Sequence, residues 1–438
     1  MTVELACHTG RSFDAAVRAA AAAGRLVVQP RMGFGDAAQM RAGLLAVAGA
    51  RAATVGTITI DSYTRTGNLA AAERAVAAGG QALNGFPLAT HRRAVTRSVI
   101  RGVGVPIQVR HGSPTPQPII RAMLLSGMSA TEGGPVSYCL PYGRIPLEES
   151  LANWDETCDL LAAPGVDAHV ETFGGCMLGQ LCPPGLLVAL SLLEGLYFAQ
   201  RGIRGVSLSY AQQTNEHQDV DAVLALRGLA AELLPTVDHH VVVYTYMGVY
   251  PRTEAGARLL NDSAARLAAR TGAMRLIVKT TAEAFRIPTI EENVAALESA
   301  ATAATAPQAA PTETGEVRAE ARALIDAVLD LDDDVGRALA KAFAFGVLDL
   351  PYCLHPDNRG LSRSYLDADG ELRWSDIGRM PIPSFATTTG SARLTSSGLL
   401  RALTYVERKF DDRALSAEHV PELDNQTPTT GDPHASHR

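Results

Sequence analysis

The sequence predicts an α/β fold, a TIM-type (β/α) barrel with a small C-terminal α+β appendage. Three observations carry the prediction. Short apolar runs alternate with Ala-, Leu- and Arg-rich helical stretches from about residue 13 to 300, the texture of parallel βαβ units. Most strand–helix pairs span roughly 25–35 residues, as such units need. Nearly every apolar run also ends in a polar or charged residue followed by Gly or Pro. A barrel gathers its functional groups at the C-terminal ends of its strands, whereas an open doubly wound sheet uses only the ends beside its switch point.

The elements follow in order. A helix over 13–24 leads to LVVQPR (26–31), and one over 36–50 leads to TVGTITID (54–61). Helix 67–79 precedes ALNGFP (82–87) and PIQVRHG (106–112), and helix 115–127 precedes VSYCLPY (136–142) and AHVETFG (168–174). Helices over 184–202, 218–234 and 253–271 alternate with VSLSYAQ (206–212), VVVYTYMG (241–248) and RLIVKT (275–280). Nine candidates for eight barrel positions leave at least one misread or outside the barrel. Residues 1–300 make the barrel domain, and the Ala-, Thr- and Pro-rich 301–318 reads as a linker. A C-terminal domain over 319–422 starts with a helix of about 316–344 and continues in an irregular β-rich stretch, 346–386. The polar tail 423–438 reads as disordered.

Composition narrows the function. Of 438 residues, 47% are hydrophobic and only 5% aromatic, and the net charge of −7 is spread along the chain. No Lys/Arg run marks a nucleic-acid partner. The six cysteines form no CxxC pair and no cluster with zinc-ligand spacing, so no metal site is expected. The first residues do not read as a signal peptide and no apolar run has membrane-spanning length, which predicts a reduced, cytoplasmic setting. GFG at 33–35 and GVG at 102–104 lack the third glycine of a dinucleotide fingerprint. The acidic run LDLDDD (329–334) reads as a solvated helix face, and His239–His240, opening a strand, as structural.

Arg31, Arg65 and Arg110 each sit where an apolar run ends. Singly, such an arginine pairs with an acidic residue of the next loop. Three in succession, with His111 directly after Arg110, point instead to a pocket for a small dicarboxylate, because guanidinium forks grip carboxylates bidentately. Glu132 lies before Gly-Gly, with Tyr138 and Tyr142 downstream; on a strand the two tyrosines share one face. A carboxylate beside an α-amino group is a proton acceptor. Lys279 and Glu283 are four apart at a strand-to-helix junction, either a helix pair or a clamp on a ligand's hydroxyls. Gly33 and Asn84 are turn chemistry when read alone.

The ordered set QPRMG, TIDSYTR, LNGFP, VRHGSP, EGGPVSYCLPY, ESLANW, ETFG, CPPG, YMGVYP, VKTTAEAFRIPT and KAFAFGVLDLP closely resembles the large (epsilon) subunit of glutamate mutase, also called methylaspartate mutase. The likeness covers about residues 25–390. It implies a barrel subunit that dimerises and joins a small (sigma) subunit carrying the cobalamin, giving a heterotetramer. Adenosylcobalamin is then the cofactor. An adenosyl radical takes hydrogen from L-glutamate, a glycyl fragment migrates, and (2S,3S)-3-methylaspartate results.

By motif, the resemblance makes Arg31, Arg65 and Arg110 a claw on both substrate carboxylates. His111, Glu132, Tyr138 and Tyr142 become further substrate contacts, with Glu132 the catalytic proton acceptor. Gly33, Asn84, Pro141, Tyr250, Lys279, Glu283 and Ile287 fall at the cofactor face, Lys279 and Glu283 at the adenosyl ribose. The chain departs from the family's pattern at EGGP and at Tyr250, where phenylalanine is usual. Asp238-His239-His240 lacks the glycine of a cobalamin-binding DxHxxG signature, so the chain is not expected to hold the cofactor alone. The alternatives are a related mutase acting on a glutamate analogue and a degenerate, non-catalytic paralogue.

Overall fold

A computed structural model describes residues 12–81, 83–141, 143–177, 181–307, 309–383 and 395–418. Tyr142 and the tail 423–438 lie outside the described residues. The sheet segments that line the barrel are β1 (Val27–Pro30), β2 (Ala53–Thr54), β3 (Gly56–Thr59), β4 (Ile107–Arg110), β5 (Ala130–Glu132), β6 (His169–Glu171), β7 (Gly205–Ala211), β8 (Asp238–Tyr244) and β9 (Arg275–Val278). All pair in parallel, in the order β2-β1-β9-β8-β7-β6-β5-β4-β3. The two ends of that order, β2 and β3, are consecutive pieces of one run, so the sheet closes into an eight-stranded barrel. Thr59 N donates to Met32 O at 2.9 Å across the seam. The seam needs Gly33, where a Cβ would stand 2.4 Å from Thr59 O.

Two of the nine expected strands are not strands. ALNGFP contributes only an isolated bridge, Phe86 to Ile60. VSYCLPY is a helical turn, with Tyr138 N donating to Gly134 O at 3.2 Å and Leu140 N to Val136 O at 3.0 Å. The Glu194 carboxylate captures the Val136 and Ser137 N–H groups, donors that a strand would spend on its neighbour. The strand that fills the vacant barrel position is β5, three residues ending on Glu132 and too short for an apolar pattern.

The bottom of the barrel is plugged by the helix Phe13–Ala22. Phe13 stacks on His169 with centroids 4.4 Å apart, and Asp14 Oδ1 lies 2.8 Å from His169 Nδ1. The helix Pro184–Gln200 is apolar on nearly every side and almost wholly buried. A helix of that kind needs cover all round, and the helix Glu316–Leu329 packs against it. Each fully buried leucine there contributes roughly 1.5–3 kcal/mol.

The single helix expected over 316–344 is two, Glu316–Leu329 and Val335–Phe345. The acidic run is the break between them and not a helix face. Asp334 caps the second helix by accepting from Arg337 N at 2.8 Å, and Asp332 holds Arg337 and Lys341 at 2.8 and 2.7 Å. An antiparallel hairpin, β10 (Arg363–Leu366) and β11 (Leu372–Asp376), follows. The helix Tyr405–Glu418 then docks beside the barrel mouth, where Asp411 accepts from Arg252 N and Thr253 N, both at 3.0 Å. No helix among the described residues is long and apolar enough to cross a membrane.

Candidate active site

Strand ends supply the site. β4 ends on Arg110, β5 on Glu132, β6 on Glu171 and β8 on Tyr244, while Arg31 and Lys279 directly follow β1 and β9. Arg110 Nε lies 2.7 Å from Glu132 Oε2, with both side chains buried. The Arg110 guanidinium sits 5.0 Å above the Tyr244 ring. Burial opposes its charge, but Glu132, Tyr244 and Glu171 keep it firmly protonated. Burial pushes the Glu132 carboxyl up, Arg110 pulls it down, and the neighbouring Glu171 pushes it up again; the net direction is up.

The Gly-Gly after Glu132 has a packing cause. Gly133 has φ +130°, and a Cβ there would meet the Tyr138 ring at 2.6 Å and the Trp154 ring at 2.8 Å. A Cβ on Gly134 would strike the Glu194 carboxylate at 2.0 Å. With both side chains missing, the loop folds back and Tyr138 donates its hydroxyl to Glu132 Oε1. His111 lies edge-on to Tyr138 and stacked on Trp154. Its Nδ1 accepts from Ser113 N at 3.1 Å, and burial lowers its pKa to about 3. The ring is therefore neutral with its proton on Nε2, directed toward the Glu132 backbone, while Arg110 Nη1 is a donor left without a partner among the described residues.

A second cluster adjoins the first. Glu283 Oε1 lies 3.1 Å from both Arg31 Nη1 and Lys279 Nζ. Burial lowers the Lys279 pKa to about 8, and the charge of Arg110 is felt at both Lys279 and Glu283. Lys279 Nζ stands 4.9 Å over the Tyr250 ring. Tyr250 donates to Asn261, whose amide in turn donates to the Lys279 carbonyl at 2.9 Å.

Arg65 is placed differently from expectation. It lies not at the strand end but, exposed, on the one-turn helix Ser62–Arg65, capped by Asp61 at 2.9 Å to Thr64 N. Its side chain passes over Gly112, next to Arg110 and His111. Asn84 supports that turn by accepting from Ser62 N at 3.0 Å. Pro141 is half-buried, and Ile287 is 56% exposed with Phe285 beside it at 67%. Thus Arg110, His111, Glu132 and Tyr138 meet directly, and Arg31, Lys279, Glu283 and Tyr250 form the adjoining cluster. Gly33 and Asn84 act on the backbone around the seam.

Of the residues beneath, Gln29 opens QPRMG and Glu171 opens ETFG, while Tyr244, Arg275 and Gln108 lie outside the sequence motifs. Tyr244 donates to Glu171 Oε1 and lies 3.0 Å from Glu132 Oε2. Glu171 is paired with the fully buried Arg275, whose Nη1 reaches Gln29 Oε1 at 2.6 Å. Gln29 in turn donates to Gln108 Oε1 at 2.7 Å. A signal existed: polar residues stand at even spacing on Gln108/Arg110, His169/Glu171 and Arg275/Lys279, the spacing of one inward face.

Comparison with known proteins bears on this geometry. The family model described as methylaspartate mutase E chain matches residues 8–403. The chain is 33% identical over 353 residues to the glutamate mutase epsilon subunit of Halobacterium salinarum, covering 77% of this chain and 74% of that one. It is 34% identical over 345 residues to that of Desulfitobacterium hafniense, covering 74% and 71%. Among solved structures, the tryptophan synthase alpha subunit of Legionella pneumophila aligns at TM-score 0.39 and 14% identity, over 67% of this chain and 98% of that one.

Proposed function

The chain belongs to the methylaspartate mutase E chain family, and from that premise we propose that it is the catalytic large subunit of an adenosylcobalamin-dependent glutamate mutase. L-glutamate is its substrate, (2S,3S)-3-methylaspartate its product, and a separate small subunit brings the cobalamin; two of each chain form the holoenzyme. One observation carries this reading. The buried Arg110–Glu132 pair borders an unpartnered donor, Arg110 Nη1, and the neutral His111 ring, which suits a ligand having both carboxylates and an ammonium.

Arg31, Arg65 and Arg110 grip the two carboxylates, and His111 adds a neutral contact. Tyr138 and Tyr142 orient the substrate, and Glu132, made more basic by burial, receives a proton from its ammonium. Adenosylcobalamin, when bound, supplies the radical that takes hydrogen from the substrate side chain. The residues suit that group: Lys279 and Glu283 offer a buried donor and a half-buried acceptor to ribose hydroxyls. Gly33, Asn84, Pro141, Tyr250 and Ile287 line the remaining cofactor face. Exposed Phe285 and Ile287 give an apolar rim for a broad ligand and the subunit that covers it.

The test is to combine this chain with a candidate small subunit and adenosylcobalamin, supply L-glutamate, and detect 3-methylaspartate through a coupled ammonia-lyase assay. Product that depends on all three components is expected. Absence of product with every small subunit of the same source would assign the chain to a non-catalytic role.

A further inference from the structure

Tyr244 stands between two carboxylates and has one proton to give. Its Oη lies 3.0 Å from Glu132 Oε2, is hydrogen-bonded to Glu171 Oε1, and accepts from Arg110 Nη2 at 3.3 Å. A phenol donates once and otherwise accepts. With both carboxylates ionised, Glu132 Oε2 is met by Arg110 Nε at 2.7 Å but also faces a phenol lone pair inside a buried site, where such a contact is costly. A proton on one carboxyl turns that contact into a hydrogen bond. Glu171 is poorly placed to be that carboxyl. Its Oε2 is paired with Arg275 and accepts from Gln108 Nε2 and Ser207 Oγ, both at 3.2 Å.

We propose that Glu132, Tyr244 and Glu171 form a one-proton relay that holds the proton Glu132 takes from the substrate, with Tyr244 and Glu171 as positioning residues. The step balances. An N–H bond of the substrate ammonium breaks and an O–H bond forms on Glu132, leaving a neutral amine. The new O–H on Oε2 donates to Tyr244 Oη, while Tyr244 keeps its own proton directed at Glu171 Oε1. No proton leaves the site, and reversal returns it to the amine.

The groups facing the relay are fixed on every side. Arg110 and Gln108 come from β4, Tyr138 from the loop after β5, Ser207 from β7 and Arg275 from β9. The buried Cys176 thiol, its pKa pushed well above the ordinary value by burial, stays neutral. Two arginines against two glutamates leave the unprotonated cluster neutral. One added proton makes it a cation beside a substrate that has become a dianion.

The relay rests on the mutase reading for its purpose, yet its test needs neither cofactor nor small subunit. The full chain, labelled with carbon-13 at the glutamate carboxyls, is titrated by isotope-edited infrared spectroscopy. A protonated-carboxyl band that appears at neutral pH when L-glutamate is added, and is missing in Glu132→Gln, is expected. Tyr244→Phe should weaken proton binding at that carboxyl about tenfold, one hydrogen bond's worth. If no glutamate-induced band depends on Glu132, the relay is wrong, whether or not Tyr244→Phe folds. An unmoved midpoint in folded Tyr244→Phe also overturns it. Bands that behave as expected in a chain inactive with every small subunit would keep the relay and remove the mutase function.

Discussion

Arg65 can cross to its neighbours because residue 112 has no side chain. Gly112 sits at φ +63°, and a Cβ there would stand 3.2 Å from Arg65 Cδ. Gly112→Ala should therefore cost about 1–2 kcal/mol in backbone conformation and push Arg65 aside. Steady-state kinetics of the reconstituted enzyme should show a raised KM for glutamate with kcat less affected. Arg65→Lys removes the fork while keeping the charge. Loss of one charge-assisted bond, about 1.5–3 kcal/mol, predicts a KM higher by roughly 10- to 150-fold; an unchanged KM would take Arg65 out of the claw. At this scale Arg110, His111 and Glu132 were legible because each ends an apolar run or precedes a glycine pair. Tyr244 and Arg275 were not. Their partners come from other strands, and strand pairing cannot be read from local spacing.

Elements deliver those residues through a staple between two loops. The Glu194 carboxylate accepts from Ser137 N and Gly174 N at 2.9 Å, Ser137 Oγ at 3.0 Å, Phe173 N at 3.2 Å and Val136 N at 3.3 Å. It thereby ties the turn that carries Tyr138 to the loop after Glu171. Glu194→Ala would strand four buried N–H groups, each costing about 1–3 kcal/mol. Urea denaturation should show a loss of at least about 3 kcal/mol, and kcat should fall because Tyr138 and Glu171 lose their support. Wild-type stability in Glu194→Ala would remove the staple. The same staple explains why VSYCLPY misleads: its alternation suggests a strand, but a distant carboxylate had claimed its N–H groups. The short β5 is the converse case, a strand set by its neighbours on both sides and by almost nothing in its own three residues.

For the molecule as a whole, the barrel was legible because polar residues close nearly every apolar run, whereas its interior was not. Buried charge also sits in the surrounding helices, and there it makes stability depend on pH. Burial raises three carboxyls, Glu194, Asp219 and Glu320, to about 7. A carboxyl with a raised folded pKa binds its proton more tightly when folded than unfolded, so unfolding releases a proton between its two pKa values. Stability then falls as pH rises through that window, here from the ordinary carboxylate range up to about 7. Glu320 gives the cleanest test. It accepts from Trp374 Nε1 at 3.0 Å and ties the helix Glu316–Leu329 to the β10–β11 hairpin. Each tenfold gain in proton affinity on folding corresponds to about 1.4 kcal/mol, so Glu320 alone accounts for a decline of about 3 kcal/mol. Glu320→Gln keeps an oxygen for the indole and cannot titrate. Thermal melts across this range should show the wild-type Tm falling with pH and the variant's falling less; equal slopes would locate the titration elsewhere.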